Sequence, residues 1–353
     1  MLEALHIDRL RGIRDLDLAD LQAINLLIGD NDVGKTTVLE AIKLFECPDD
    51  LPSVLRASRM RILNRGSMGR EYYSPFDTFL HMFPFDEKTL EMAISMVFDG
   101  KGHYLHISGE MGRTLITREN RRPLSGVLHE GRVEQEVDTF WGELSFDGNT
   151  QPIEVSEDVP NNVVVKAKPR VRIEYIAPGQ HLSGVHKNVF RSKAWERETV
   201  NALRIIDPDI FGIKLVPSEY GAGGNPVIEH HVHGDVPLYA CGDGLKRIFT
   251  LASILPSAKA GILMIDEVET SLQAKHLPIV FDWLLNASRE FGVQLFVTTH
   301  SAEAISAISQ SAYAHPSELA CYRLERFRGE TQARRYSERK LESLVNGSGF
   351  DVR

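Results

Sequence analysis

Residues 2–18 (LEALHIDRLRGIRDLDL) alternate apolar and polar side chains in two runs joined by Arg11-Gly12. A period of two with a glycine at the joint predicts a β-hairpin or paired edge strands. Ala23 to Ile28 (AINLLI) is short and almost wholly apolar, the pattern of a strand buried on both faces. Thr37 to Phe45 (TVLEAIKLF) changes to helical spacing, and Pro48 with Asp49 and Asp50 ends that helix.

From about 50 to 170 the pattern differs. An Arg-rich segment, helical in part, is followed by an aromatic stretch (Tyr72, Tyr73, Phe76, Phe79, Phe83, Phe85). Glu91 to Phe98, His103 to Ser108 and Arg113 to Thr117 then read as strands of an antiparallel sheet separated by Gly and Asp turns. Val163 to Ile176 reads as two strands broken at Pro169, Ala194 to Ile206 as a helix, and 210–240 as β-rich. Beyond it, Leu245 to Leu255 and Lys275 to Ser288 have helical spacing, while Gly261 to Ile265 and Val293 to Thr298 are apolar strands. Buried strands alternating with helices predict a parallel sheet covered on both faces.

Composition changes this picture little. The chain is 42% hydrophobic and 25% charged, and no apolar run approaches the ~20 residues that cross a bilayer. The first residues carry charges where a signal peptide has its apolar core, and Cys47, Cys241 and Cys321 form no metal or disulfide pattern. A cytoplasmic protein with no membrane contact is expected. A net charge of −9 argues against non-specific coating of nucleic acid, so any such contact needs a local patch. Three segments offer one: Arg56, Arg59, Arg61, Arg65 and Arg70 without an intervening acid, Lys166 to Arg172, and Arg323 to Lys340. A solvated face is the ordinary meaning of each.

The chemistry begins at Gly29-Asp30-Asn31-Asp32-Val33-Gly34-Lys35-Thr36, which fits G-x-x-x-x-G-K-[ST] at every fixed position. A strand, a tight turn and a helix N-terminus bring backbone N–H groups and the helix dipole onto one anion. Lys35 would reach the outer phosphates, Thr37 would join the cradle, and the Thr36 hydroxyl would ligate Mg²⁺ beside ATP. Ile262 to Glu267 (ILMIDE) supplies the complement: Asp266 for the metal, Glu267 for the attacking water. His300 follows the next apolar strand, at the carboxyl edge where a γ-phosphate would lie. Gly242-Asp243-Gly244 opens a helix with its backbone N–H groups free for an anion.

Together these motifs resemble the ABC-class ATPases, in particular the branch with the OLD nucleases, RecF and the SMC heads. The opening LHIDRLRGIRDLDL…INLLIGDNDVGKTTVLEAIKLF, the GDGLKR signature, IDEVETSL, VTTHS and the closing VNGSGFDVR carry the resemblance. It implies an α/β P-loop ABC-type ATPase head over 1–48 and 170–353 with a mixed, mainly parallel core sheet. An N-terminal antiparallel β subdomain and an inserted α+β region over 49–169 accompany it. It also implies that one copy's signature completes the other's nucleotide site in a homodimer or higher oligomer. Gly242, Asp243 and Gly244 would then meet the partner's γ-phosphate, Ser271 would lie at the seam, and Arg11 near the nucleotide. The signature lacks the Ser-Gly-Gly-Gln form, Val268 stands where Pro is usual, and Gln273 where His is common. No Q-loop glutamine is identified; the region Phe76 to Phe83 is where one is sought.

His230, His231 and His233 offer a lesser constellation. His231 and His233 would share a strand face, with Glu229 and Asp235 as the nearby acids, so a metal site competes with a polar strand or subunit contact. The segment after His300 is too short for a Toprim nuclease domain, and no heptads make SMC-type arms. The expectation is an ATPase switch for a separately encoded effector, a nuclease, in bacterial anti-phage defence. The alternatives are a RecF-like DNA-binding ATPase in repair and a scaffold in which ATP glues subunits without turnover.

Overall fold

The structure is a computed structural model. It describes residues 1–353 except 64–72, 85–89, 121–130, 183–186, 218–223, 313–317, 338–340 and 342–353. Arg65, Arg70 and the tail VNGSGFDVR lie outside the described residues.

The chain opens with β1 (Leu2–Leu10) and β2 (Ile13–Leu18), the expected hairpin about Arg11-Gly12. β3 (Ile24–Ile28) leads through the glycine turn into α1 (Lys35–Leu44). Then come α2 (Leu51–Ser58), started by Asp50 accepting from the Ser53 N–H, and α3 (Met60–Leu63). α4 (Pro75–Leu80) is started by a Ser74–Asp77 capping box. Four antiparallel strands follow: β4 (Leu90–Phe98), β5 (Lys101–Asn120), β6 (Gly131–Phe146) and β7 (Asn149–Ser156). β8 (Ile173–Ile176), α5 (Lys193–Leu203), β9 (Ile210–Pro217), β10 (Gly224–His230) and β11 (Gly234–Pro237) precede α6 (Asp243–Ile254). The chain continues through β12 (Ile262–Ile265), α7 (Leu277–Phe291), β13 (Gln294–Thr299), α8 (Ala302–Ala312), β14 (Leu319–Phe327) and β15 (Glu330–Ser337).

The core sheet has the order β15-β14-β3-β13-β12-β8, parallel throughout except at β15. Its central strands are buried on both faces, as their apolar runs require. Leu27, Met264 and Phe296 point to one core, and Leu26, Ile28, Leu263, Ile265 and Val297 to the other, under α7 and α8. The first core also holds α1, α2, α4 and the second sheet, ordered β2-β1-β4-β5-β6-β7. The strands over 90–156 thus extend the N-terminal hairpin's own sheet across β1. A third, smaller core joins α5 and α6 to the β11-β10-β9 sheet.

Two expectations fail here for local reasons. His103–Ser108 and Arg113–Thr117 are one strand, β5, because Gly109 and Gly112 are not turns. A Cβ at Gly109 would lie 2.2 Å from the Trp141 carbonyl, and one at Gly112 would lie 2.3 Å from the Trp141 ring. These glycines permit close packing rather than reversal. Residues 163–172 form no strand. Instead Arg170 fastens this segment in place, its guanidinium donating to Asp49 Oδ2 at 2.8 Å and lying over the Phe146 ring.

Candidate functional site

At the carboxyl edge of the core sheet, β3 lies between β14 and β13, and β13 separates β3 from β12. Registers pair Ile28 with Thr299, and Val297 with Ile265, so the residues that follow these strands gather at one edge. The turn from β3 demands its glycines. Gly29 has φ 136°, and a Cβ there would sit 2.3 Å from the Leu324 carbonyl oxygen; Gly34 has φ 102°. Gly34 also starts α1 without a side-chain cap, whereas α2, α4 and α5 are capped by Asp50, Ser74 and Ser192. The first amides of α1 therefore stay available to an anion.

Lys35 folds back over this turn, donating to the carbonyls of Gly29 and Asp30 at 2.7 Å each. Burial pushes its ammonium below the ordinary lysine range, against the opposing pull of Asp266, Glu267, Asp30 and Glu269. The Thr36 hydroxyl donates to Asp266 Oδ2 at 3.1 Å, across 230 positions of sequence. The same oxygen accepts from the Tyr175 hydroxyl at 3.0 Å, and Asp266 Oδ1 accepts from Thr298 Oγ1 at 2.5 Å. Thr298 Oγ1 in turn accepts the Glu267 N–H at 2.9 Å. Burial, with Asp266 beside it, drives the Tyr175 phenol far up, so it remains a donor. Glu267 takes a left-handed backbone conformation, φ 45°. A cavity of about 630 Å³ opens over these groups, lined by Asn31, Lys35, Thr36, Asp266 and Glu267 on one side and Ala177 to Gly179 on another. The donor set fits Mg²⁺: one hydroxyl and one carboxylate, adjacent and facing a cavity that could supply phosphate and water oxygens.

Among the described residues of the Arg segment, Arg56, Arg59 and Arg61 take separate surroundings. Arg61 enters the cavity wall, donating to both oxygens of buried Glu40 at 2.8 Å and to Thr37 Oγ1 at 3.0 Å. Arg11 grips the same carboxylate from the other side, at 2.7 and 3.0 Å, and does not line the cavity. Arg59 donates to the Asn161 carbonyl at 2.5 Å, and Arg56 is exposed.

Gly242, Asp243 and Gly244 lie at the start of α6, where Gly242 also leaves the helix uncapped by a side chain. With Ser271, Gln273 and His276 they line a second cavity, of about 440 Å³, that shares no lining residue with the first. Arg247, one turn into α6, is fully buried. It donates to the carbonyls of Ala177 and Pro178 at 2.7 and 3.3 Å and to those of Asp266 and Glu267 at 3.1 and 3.2 Å. Burial lowers its pKa to about 10. His300 follows β13 and faces Glu269, whose Oε1 lies 3.4 Å from its Nδ1 and accepts its N–H at 3.2 Å. It is not among the residues lining the first cavity.

Tyr175 and Glu40 carry no motif signal in the sequence, whereas Arg247 and Thr298 fall inside GDGLKR and VTTHS, where the sequence alone assigns them no role. The Phe76–Phe83 region proves to be core, with Phe79, Phe83 and Phe140 in mutual ring contact; the segment at the nucleotide cavity is Ala177–Gly179. The histidine cluster is corrected too. β10 ends at His230, and His231 and His233 lie in the turn after it. His230 Nδ1 accepts the N–H groups of Val232 and His233, so Nε2 carries the proton and donates it to Asp207, leaving no lone pair for a metal. Glu229 and Asp235 both hold Lys214.

Residues 185–306 match the family described as "AAA domain, putative AbiEii toxin, Type IV TA system". A stretch of 98 residues, 28% of the chain, is 33% identical to an uncharacterised protein of Methanocaldococcus jannaschii, covering 42% of it. A stretch of 93 residues, 24% of the chain, is 32% identical to the ATP/GTP phosphatase of Helicobacter pylori, covering 25% of it. The chain thus matches less than half the length of either relative. Among solved structures, an SMC head bound to the C-terminal winged-helix domain of ScpA superposes with TM-score 0.54 at 14% identity, over 95% of this chain and 98% of that one. An SMC head with an extended coiled coil, bound to the C-terminal domain of ScpA from Pyrococcus furiosus, gives 0.53 at 12% identity over 98% of each chain. The fold is that of the SMC heads. Among the described residues no helix is long and apolar enough to cross a membrane.

Proposed function

We propose that the chain binds ATP with Mg²⁺ and hydrolyses it, and that two copies close head to tail over the nucleotides. The observation that carries this is the Thr36–Asp266 hydrogen bond, which joins the phosphate turn to the acidic strand end inside one polar cavity. Gly29 to Thr37 cradle the phosphates, and Lys35 exchanges its two carbonyl partners for phosphate oxygens. Thr36 and Asp266 would hold Mg²⁺, whose charge would offset that of the phosphates. Glu267 accepts a proton from the attacking water; Thr298 accepts its backbone N–H and donates to the Asp266 carboxylate. His300 acts at the terminal phosphate from the end of β13. Of the two cations on Glu40, Arg61 rather than Arg11 is placed to meet the nucleotide. Gly242–Gly244 and Ser271, in a separate cavity, supply the other copy's site.

The biological reading is a cytoplasmic switch: dimerisation controls a separately encoded effector, a nuclease, in anti-phage defence of the kind that includes OLD proteins. The toxin–antitoxin description of the matched family and the ScpA-bound state of the SMC heads support a partner protein. The RecF-like alternative has less to draw on, since Arg59 and Arg61 are engaged within the chain and Arg56 is the exposed arginine among the described residues of that segment. Glu267→Gln should still bind ATP, lower phosphate release by at least about a hundredfold and accumulate an ATP-bound dimer in light scattering. Unchanged phosphate release would sink the assignment. No release from the unmutated protein, with or without DNA, would leave the scaffold reading in its place.

A further inference from the structure

One side chain stands between the two cavities. Gly179 lines the nucleotide cavity; two residues on, His181 lies buried in a short 3-10 turn (Gln180–Leu182) against α6. Its Nε2 is 3.0 Å from the hydroxyl of Ser271, which lines the signature cavity. Ser271 is held at φ 66°, a left-handed backbone uncommon for a residue with a side chain. Its carbonyl oxygen lies 3.0 Å from the place a Cβ would take on Gly244. A continuous line of contacts therefore runs from the cavity wall through His181 and Ser271 to Gly244. Arg247 keeps both ends in register, because its two Nη groups hold the wall carbonyls of Ala177 and Pro178 and the carbonyls of Asp266 and Glu267.

We infer that His181 is a positioning residue that couples ATP in the cavity to Ser271 and Gly244 on the face offered to a second copy. The inference rests on the head-to-tail reading for its purpose but not for its test. A phosphate seated on Lys35 and Thr36 shares its cavity with Gly179, so nucleotide binding fixes the 177–182 turn. The imidazole then holds Ser271, and the strained Ser271 backbone holds its ground against Gly244. Burial, then the Arg247 charge, holds the imidazole below its ordinary range, and its Nε2 is within hydrogen-bond distance of the Ser271 hydroxyl.

Amide hydrogen exchange of residues 269–272 tests this, read with and without Mg²⁺–ATP at a dilution where the chain is monomeric. ATP should slow exchange there by about tenfold in the unmutated protein and in His181→Gln, whose amide can replace Nε2. The slowing should vanish in His181→Ala while ATP affinity, read with a fluorescent ATP analogue, stays within about threefold. Ser271→Ala in the His181→Ala background should add nothing further. Equal slowing in His181→Ala, no slowing in the unmutated protein, failure of Gln to restore it, or a parallel loss of ATP affinity would each overturn the inference. Light scattering of Glu267→Gln with ATP is the separate arm. Absence of a dimer there overturns the head-to-tail reading alone, since the exchange result is obtained on monomer.

Discussion

The two ends of the Arg247 tether differ in how finished they are. At the nucleotide cavity the polar groups are already matched: Asp266 accepts from Thr36, Tyr175 and Thr298, and Lys35 has two carbonyls. At the signature, Gly242 and Asp243 are exposed, and no side chain caps the helix they start. The two glycine turns differ in the same way. Gly29 is irreplaceable in the fold of its own chain, with the Leu324 carbonyl oxygen only 2.3 Å from where a Cβ would go. Gly242 has ordinary extended backbone, φ −65° and ψ 152°, and nothing within 4 Å of a would-be Cβ. The fold of its own chain therefore does not require glycine at 242.

That contrast can be broken or sharpened by substitution, starting from the largest effect. Gly29→Ala should cost about 4 kcal/mol in denaturant unfolding, since both φ and space forbid it, and should abolish ATP binding. Arg247→Met should cost about 3 kcal/mol, because four carbonyl contacts, two of them buried, go unmet, and should lower phosphate release along with stability. Gly242→Ala should leave the unfolding midpoint within about 0.5 kcal/mol of the unmutated protein and ATP affinity unchanged, yet weaken ATP-dependent association in light scattering. Equal destabilisation by Gly29→Ala and Gly242→Ala would erase the distinction.

The smallest effect is in pH. Burial, then Arg247, holds the folded His181 below its ordinary value of 6.5. The unfolded chain therefore binds more protons in the window below that value, and stability falls as pH drops through it. His181→Gln should flatten that part of a melting-temperature profile, and an unchanged slope would assign the loss to other groups.

Much of this was legible in the sequence because it is local. The hairpin at Arg11-Gly12, the P-loop with its strand and helix, and the apolar run ending in Asp266-Glu267 are each set within about ten residues by periodicity and turn chemistry. Where local pattern misled, a distant partner was the reason. Gly109 and Gly112 read as turn residues, but Trp141 is what requires them; 163–172 alternates like a strand, but Arg170 binds Asp49 and Phe146 instead of a neighbouring strand. The Arg-rich run read as one surface, yet a helical segment sends Arg59 and Arg61 to different partners.

By itself, then, the sequence determined an α/β fold around a phosphate-binding turn, and which acids end the strand that serves it. Only the tertiary structure decided what holds those acids: Tyr175 and Thr298 on Asp266, Arg247 on the turn behind it, Arg11 and Arg61 on Glu40, and His181 on Ser271. The physical reason is the reach of the interactions. Backbone preference and hydrophobic period act between neighbours along the chain, whereas a buried carboxylate takes whichever donors the packed sheet delivers within 3 Å, from any distance in sequence.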